Sequence, residues 1–218
     1  IKLNKNTLKA RPKVYGFTID GEYSKDLDDG ISLSQKGKNY FLQVSIADVA
    51  EYVTRDMELY KTAIEKIETH YFHNYNEPML PRILSESRLS LWPDIWKPAI
   101  TFDIKLNQSL DVVDFSFRET AFKSIKKYSY AEFDELLEQN NGSTPFKNSM
   151  QLAELGKALL EKRRAKGALA VYDIKKGIYT DEEGILQPLD GGMAHVANII
   201  VQEAMILTNK QLALFFAK

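Results

Sequence analysis

A run of four aspartates within ten residues constrains this chain more than any other feature. The four are Asp20, Asp26, Asp28 and Asp29. Residues 14–19 before the run are typical of a strand, and residues 30–33 after it are typical of the start of another. Carboxylates this close repel one another, so a folded chain keeps them together only where cations, arginines or backbone amides neutralise them. The run therefore predicts a turn between two strands that concentrates negative charge.

A magnesium site for phosphoryl chemistry is the first interpretation of this turn. Hard divalent cations such as Mg²⁺ bind carboxylate oxygens, retain several waters and often share a substrate phosphate. A solvated acidic surface loop fits the same spacing, so both interpretations stay open on the residues alone. An EF-hand does not fit. With Asp26 at its first position, the turn glycine would fall on Ile31 and the bidentate glutamate on Gly37.

Composition narrows the class of protein. The 218 residues are 44% hydrophobic and 27% charged, which is ordinary for a globular protein. No stretch approaches about 20 consecutive apolar residues, so we expect no membrane span. The absence of cysteine excludes disulfides, thiolate zinc sites and cysteine nucleophiles, and it fits a cytoplasmic location. The net charge of −1 counts against a stand-alone nucleic-acid clamp, and counts less against an enzyme whose acidic site holds cations.

Hydrophobic periodicity predicts a mixture of hairpins and helices. Strands are expected at 14–19, from 30 onward, at 40–47, 101–106, 112–117, 122–127 and 170–179. Helices are expected at 56–68, 130–138, 150–164 and from about 193 to the end. This order predicts an α+β (mixed α/β) fold in which mixed sheets are flanked by helices.

The polar stretch at 140–145 predicts a loop, and residues 140–148 are the best place for a subdomain boundary within a single domain portion, 1–218. The last predicted helix stays apolar to its end. We therefore expect a domain that is incomplete at its C-terminus, which continues or is completed by a second polypeptide segment.

Four segments resemble, in the same order, the motifs of the RNB family of exoribonucleases, which includes ribonuclease II and ribonuclease R. The segments are 18–29, 44–53, 78–91 and 197–205. The resemblance covers the chain from Val14 onward and implies an RNB-like catalytic core. It also implies that the rest of that domain, with its Arg-Arg-Tyr motif, and the flanking OB-fold domains lie outside these residues. Lys97 stands where the family usually has an arginine.

The resemblance implies a Mg²⁺-dependent exoribonuclease that hydrolyses single-stranded RNA in the 3′→5′ direction and releases nucleoside 5′-monophosphates. Asp20, Asp26 and Asp29 match ligands of one or two Mg²⁺ ions, and Asp28 resembles the aspartate most critical for cleavage. Magnesium held by carboxylates stabilises charge on phosphodiester oxygens and orients the attacking water. The alternative is a truncated, catalytically incomplete half of such an enzyme that binds RNA or a partner protein.

Three further positions match RNA contacts of the family. Tyr71 matches a tyrosine placed against the terminal nucleotides, where an aromatic ring stacks on a base. Tyr130 and Glu203 match positions near the ribose, where accepting a hydrogen bond from the 2′-OH distinguishes RNA from DNA. On the residues alone, each has a structural alternative, because a tyrosine between apolar neighbours often lies in a core and a helical glutamate is often solvated.

Overall fold

The structure, a computed structural model, describes residues 5–72, 75–139, 144–169, 176–180, 185–190 and 196–217. Its strands are β1 (Lys13–Asp20), β2 (Asp29–Lys36), β3 (Asn39–Ala47), β4 (His70–Tyr71), β5 (Asn76–Glu77), β6 (Trp96–Leu106), β7 (Val112–Ser129), β8 (Lys176–Thr180) and β9 (Leu186–Asp190). Its α-helices are α1 (Lys5–Ala10), α2 (Glu58–Lys66), α3 (Tyr130–Glu138), α4 (Thr144–Arg164) and α5 (Val196–Phe216). A 3₁₀ turn covers Val49–Glu51, and a π-helix covers Leu84–Leu89.

Five strands close into a barrel in the order β1-β2-β3-β6-β7. Neighbours along this order pair antiparallel, while β7 returns alongside β1 in parallel, with Lys13 opposite Ala121 and Asp20 opposite Ser129. Closure removes exposed sheet edges. It also brings the end of β7 beside the end of β1, so both strands finish next to the aspartate turn.

Two apolar clusters hold the barrel and its helices together. The larger joins strands β1–β3 and β6 to helices α3, α4 and α5, and contains Phe17, Ile31, Val44, Ile104, Phe133, Leu152, Leu155, Ile200 and Ala204. The smaller lies beneath the aspartate turn and contains Val14, Leu27, Tyr52, Val53, Leu80, Leu84, Leu89, Leu91 and Phe122. The turn is therefore built on a packed apolar base rather than on a free surface loop.

Glycine and capping residues fix two local geometries that matter for the site and its helices. A Cβ added at Gly30, directly after Asp29, would lie 2.3 Å from the Phe122 ring, so only glycine lets β2 pass this ring. At the end of β7, the Ser129 hydroxyl accepts from the Glu132 amide while the Glu132 carboxylate accepts from the Ser129 amide. This capping box starts α3 where the sequence predicts it.

The predicted fold class is confirmed, and most predicted elements appear within a few residues of their expected bounds. The predicted loop at 140–145 is wrong in part, because α4 already begins at Thr144. Pro145 suits the first turn of a helix, where its missing N–H costs nothing. Residues 140–143, 170–175 and 193–195 lie outside the described residues. The single domain portion and its boundary near 140–148 stay predictions.

Among the described helices, α5 alone is long and apolar enough to cross a membrane by length and composition. Core helices of soluble proteins pass the same test, so this is weak evidence for a span. Ala197, Ile200 and Ala204 of α5 lie in the larger apolar cluster. The core packing of these three residues accounts for part of the apolar character of the helix.

Candidate active site

The aspartate turn opens onto a cavity of about 1110 Å³. Asp20 ends β1, Asp29 begins β2, and Asp26 and Asp28 lie in the segment between them. All four aspartates line this cavity, together with Tyr71. Five of the predicted site residues are therefore brought together by one turn and one neighbouring strand.

Leu27 anchors the turn between two of the aspartates. Its side chain is 1% exposed in the smaller apolar cluster. Its amide donates to the Ser90 hydroxyl at 3.1 Å, and its carbonyl accepts from the Leu91 amide at 2.8 Å. The Asp28 carbonyl accepts from the Ala47 amide at 2.8 Å. The backbone that carries Asp26 and Asp28 is thus tied to the rest of the protein on both sides.

Lys127 binds the backbone of the first part of the turn, at Glu22 and Ser24. From β7, its ammonium donates to the backbone carbonyls of Glu22 and Ser24, at 2.8 Å each. The same ammonium lies 5.6 Å from the centre of the Trp92 ring. A lysine is therefore present in the cavity, and it holds the backbone without forming an ion pair with any of the four aspartates.

The aspartates raise one another's proton affinity. Burial, followed by the charges of Asp26 and Asp20, raises the pKa of Asp28 to about 6. Burial, followed by the charges of Asp20 and Asp28, raises the pKa of Asp29 to about 7, against a small opposing effect of a backbone hydrogen bond. Raised carboxyl pKa values mean that the protein itself does not neutralise these charges.

The donor atoms in the cavity suit a hard divalent cation. The Asp29 Oδ2 atom is buried and has no hydrogen-bond partner among the described residues. In the part of the chain that the structure describes, no three His, Cys, Asp or Glu side chains are grouped closely enough to hold an ion at once. The aspartates therefore share a cavity without converging on one point. Carboxylate oxygens with open positions for water are the ligands that Mg²⁺ takes.

Tyr71 stands at the edge of the cavity. It lies in β4, 68% exposed, and its hydroxyl donates to Asp26 Oδ2 at 3.3 Å. Burial and the charge of Asp26 raise the pKa of the phenol, which therefore stays protonated as a donor. Its exposed ring next to a carboxylate of the site is compatible with stacking on a nucleotide base.

Tyr130 and Glu203 lie elsewhere. Tyr130 is the first residue of α3 and packs against the larger apolar cluster. Glu203 on α5 is 2% exposed, and its two oxygens accept three hydrogen bonds from Arg163 of α4, at 2.7–3.1 Å. Neither residue lines the aspartate cavity. Their ribose contacts stay predictions.

The sequence reasoning missed several residues of the site. Arg82 lines the cavity and donates to Glu86 at 2.6 Å and to the Asn76 carbonyl at 3.2 Å. Ser90 and Lys127 hold the turn through backbone groups. Position along the chain gives no indication of these contacts, since Ser90 is 63 residues from Leu27.

Comparisons with known proteins agree with the resemblance. The RNB domain profile matches residues 13–218. The chain is similar to ribonuclease R of Chlamydia trachomatis, with 32% identity over 152 residues, covering 69% of this chain and 22% of that protein. It is similar to ribonuclease R of Thermotoga maritima, with 31% identity over 210 residues, covering 91% of this chain and 29% of that protein. The chain thus spans about a quarter of the length of these curated relatives.

Solved structures share the fold. Ribonuclease R of Mycoplasma genitalium, in complex with ribose-methylated single-stranded RNA, matches with a TM-score of 0.87 at 23% identity, over 100% of this chain and 35% of that chain. Yeast Ssd1, described as a pseudonuclease, matches with a TM-score of 0.71 at 13% identity, over 93% of this chain and 26% of that chain. At these identities the likeness shows the fold alone. The profile match over nearly the whole chain shows more, and the chain belongs to the RNB family.

Proposed function

We propose that this chain is part of the catalytic domain of a Mg²⁺-dependent exoribonuclease. The enzyme hydrolyses single-stranded RNA in the 3′→5′ direction and releases nucleoside 5′-monophosphates. One observation carries the proposal: four aspartates of a single turn line one cavity, and none forms an ion pair with a lysine or arginine among the described residues. Membership in the RNB family supports it.

The roles of the four aspartates are those that the family resemblance implies. Asp20, Asp26 and Asp29 would hold one or two Mg²⁺ ions, with the buried, unpartnered oxygen of Asp29 as one donor. When bound, the metal supplies Lewis-acid stabilisation of charge on the phosphodiester oxygens. Asp28 would orient the attacking water and accept its proton, a role that a carboxylate beside a bound cation can fill.

The substrate assignment depends on the rim of the cavity. Tyr71 offers an exposed ring, and stacking on a base requires no particular sequence. Acidic walls repel the phosphates of RNA, so stacking and bound cations would supply the attraction. The Mycoplasma genitalium structure is a complex of ribonuclease R with ribose-methylated single-stranded RNA, which supports the same class of ligand. We place the enzyme in the cytoplasm.

A second candidate is an RNA-binding or partner-binding half without turnover. The fold of yeast Ssd1, described as a pseudonuclease, favours it, because it shows that this architecture also occurs in a protein so described. Because both candidates share the fold, cleavage that depends on the aspartates of the turn distinguishes them.

Incubation of the full-length protein with 5′-labelled oligo(A) tests the proposal. With Mg²⁺, the parent is expected to release nucleoside 5′-monophosphates and leave a short labelled end, and EDTA is expected to stop the reaction. Asp28→Asn is expected to reduce turnover by at least about 10³-fold while RNA binding persists, because the amide keeps the shape and loses the base. Equal turnover in Asp28→Asn and parent would refute the site. RNA binding without any cleavage by the parent would support the second candidate.

A further inference from the structure

Ser90 is a fully buried hydroxyl that reaches the aspartate turn from a distant part of the chain. It is 0% exposed, and its Oγ accepts from the Leu27 amide at 3.1 Å. The next residue, Leu91, donates its amide to the Leu27 carbonyl at 2.8 Å. Both backbone groups of Leu27 are therefore paired with adjacent residues of one segment. A buried amide that lost its acceptor would bear the full cost of desolvation.

Lys97 holds the segment that carries Ser90. Lys97 is 9% exposed, and its ammonium donates to the backbone carbonyls of Ser87 and Arg88, the latter at 3.2 Å. These carbonyls lie at the end of the π-helix Leu84–Leu89, directly before Ser90. Carbonyls at a helix end have no partner within the helix, and a cation there satisfies them. Burial, followed by the charge of Arg88, lowers the pKa of Lys97, so its burial has a cost that these carbonyls offset.

The position of Leu27 sets the position of two aspartates. Leu27 points into the smaller apolar cluster, and its neighbours Asp26 and Asp28 both line the cavity. A shift or rotation of the Leu27 backbone would therefore move both carboxylates together, and sites of this kind lose activity over displacements of about 1 Å.

We propose that Ser90 and Lys97 are positioning residues for the aspartate turn: Ser90 fixes Leu27 directly, and Lys97 fixes the turn that presents Ser90. Neither residue lines the cavity, so both act through the backbone. The effect on catalysis rests on the proposed function, whereas the effect on the mobility of the turn does not.

The test uses the full-length protein and amide hydrogen exchange of peptides covering residues 20–29. In Ser90→Ala these amides are expected to exchange roughly tenfold faster, the usual size for one lost buried acceptor, with little change elsewhere. Lys97→Met is also expected to speed the exchange of these amides. Lys97→Arg is expected to keep the slow exchange of the parent, because it keeps a cation on the carbonyls. Thr208→Val is the matched control: it removes another buried hydroxyl, which donates to the Ala204 carbonyl at 2.8 Å within α5, away from the cavity.

Kinetics on the same variants separate positioning from a merely structural role. Ser90→Ala is expected to lower kcat about tenfold and to raise the Mg²⁺ concentration for half-maximal rate, while the Kd for RNA stays unchanged. Thr208→Val is expected to lower Tm without either effect. The proposal is overturned if Ser90→Ala lowers Tm like the control and leaves both the exchange of 20–29 and the Mg²⁺ dependence unchanged. An inactive parent would refute the proposed function, and hydrogen exchange would still decide on the positioning role.

Discussion

The aspartate turn and the α4–α5 interface both bury carboxylates, but only the interface pairs the negative charge with an arginine. At the interface, Arg163 donates three hydrogen bonds to Glu203, so the negative charge is neutralised within the protein. At the turn, Lys127 donates to backbone carbonyls instead of pairing with an aspartate. The pKa values of Asp28 and Asp29 rise as a result of burial and mutual repulsion.

The difference separates a structural carboxylate from a binding one. The Glu203 carboxylate, paired with Arg163, holds α5 against α4, and its oxygens already accept hydrogen bonds that a ligand would otherwise provide. A group of carboxylates without basic partners lowers the stability of the fold, and a bound cation would relieve their repulsion. By this criterion we propose that the four aspartates form the functional site and that Glu203 joins α5 to α4.

The largest effect on stability is expected at the interface. Arg163→Met leaves Glu203 buried without a partner, which we expect to cost about 3 kcal/mol, the lower end of the range for breaking a buried pair. Glu203→Gln should cost less, because Arg163 is 26% exposed and can turn toward water. Thermal unfolding of the full-length variants measures both changes.

The same pair of variants sharpens the comparison. Equal losses of stability for Arg163→Met and Glu203→Gln would contradict an ion pair between a buried carboxylate and a partly exposed arginine. An altered preference for RNA over DNA in Glu203→Gln would show that Glu203 contacts ribose as well, as the family resemblance implies.

A smaller effect, of opposite sign, is expected at the turn. The pKa of Asp29 is about 7 in the folded chain against 3.8 for an ordinary aspartate, so its ionisation removes stability as the pH rises from about 4 through 7. In EDTA, Asp29→Asn should therefore stabilise the protein at pH 8, by less than the roughly 4 kcal/mol that the full pKa difference sets as an upper limit, and leave it nearly unchanged at pH 4. Tm measured against pH for variant and parent gives the result. A destabilising effect at pH 8 would contradict the account.

Local features of this fold could be predicted from the sequence because they depend on neighbouring residues. Apolar residues in strand-like patterns indicate β1, β3 and β6, and the capping residue Ser129 indicates the start of α3. The density of aspartates at the β1–β2 turn and the motifs around it indicate the candidate site. Each of these patterns is contained within a short stretch of chain.

The rest depends on contacts between distant segments. Parallel pairing of β1 with β7 joins Lys13 to Ala121 and closes the barrel, and no short pattern specifies it. The Ser90–Leu27 hydrogen bond spans 63 residues, and the π-helix before it has no sequence pattern of its own. For the same reason, the ion pair of Glu203 with Arg163, 40 residues apart, could not be foreseen.

Calorimetric titration of the full-length protein with Mg²⁺ tests the central claim most directly, with Asp29→Asn and Glu203→Gln as the two variants. The account predicts saturable binding by the parent, strong weakening in Asp29→Asn, and affinity close to the parent in folded Glu203→Gln. Binding that is absent from the parent, or that is equally strong in Asp29→Asn, would contradict the claim that the aspartate turn is a cation site.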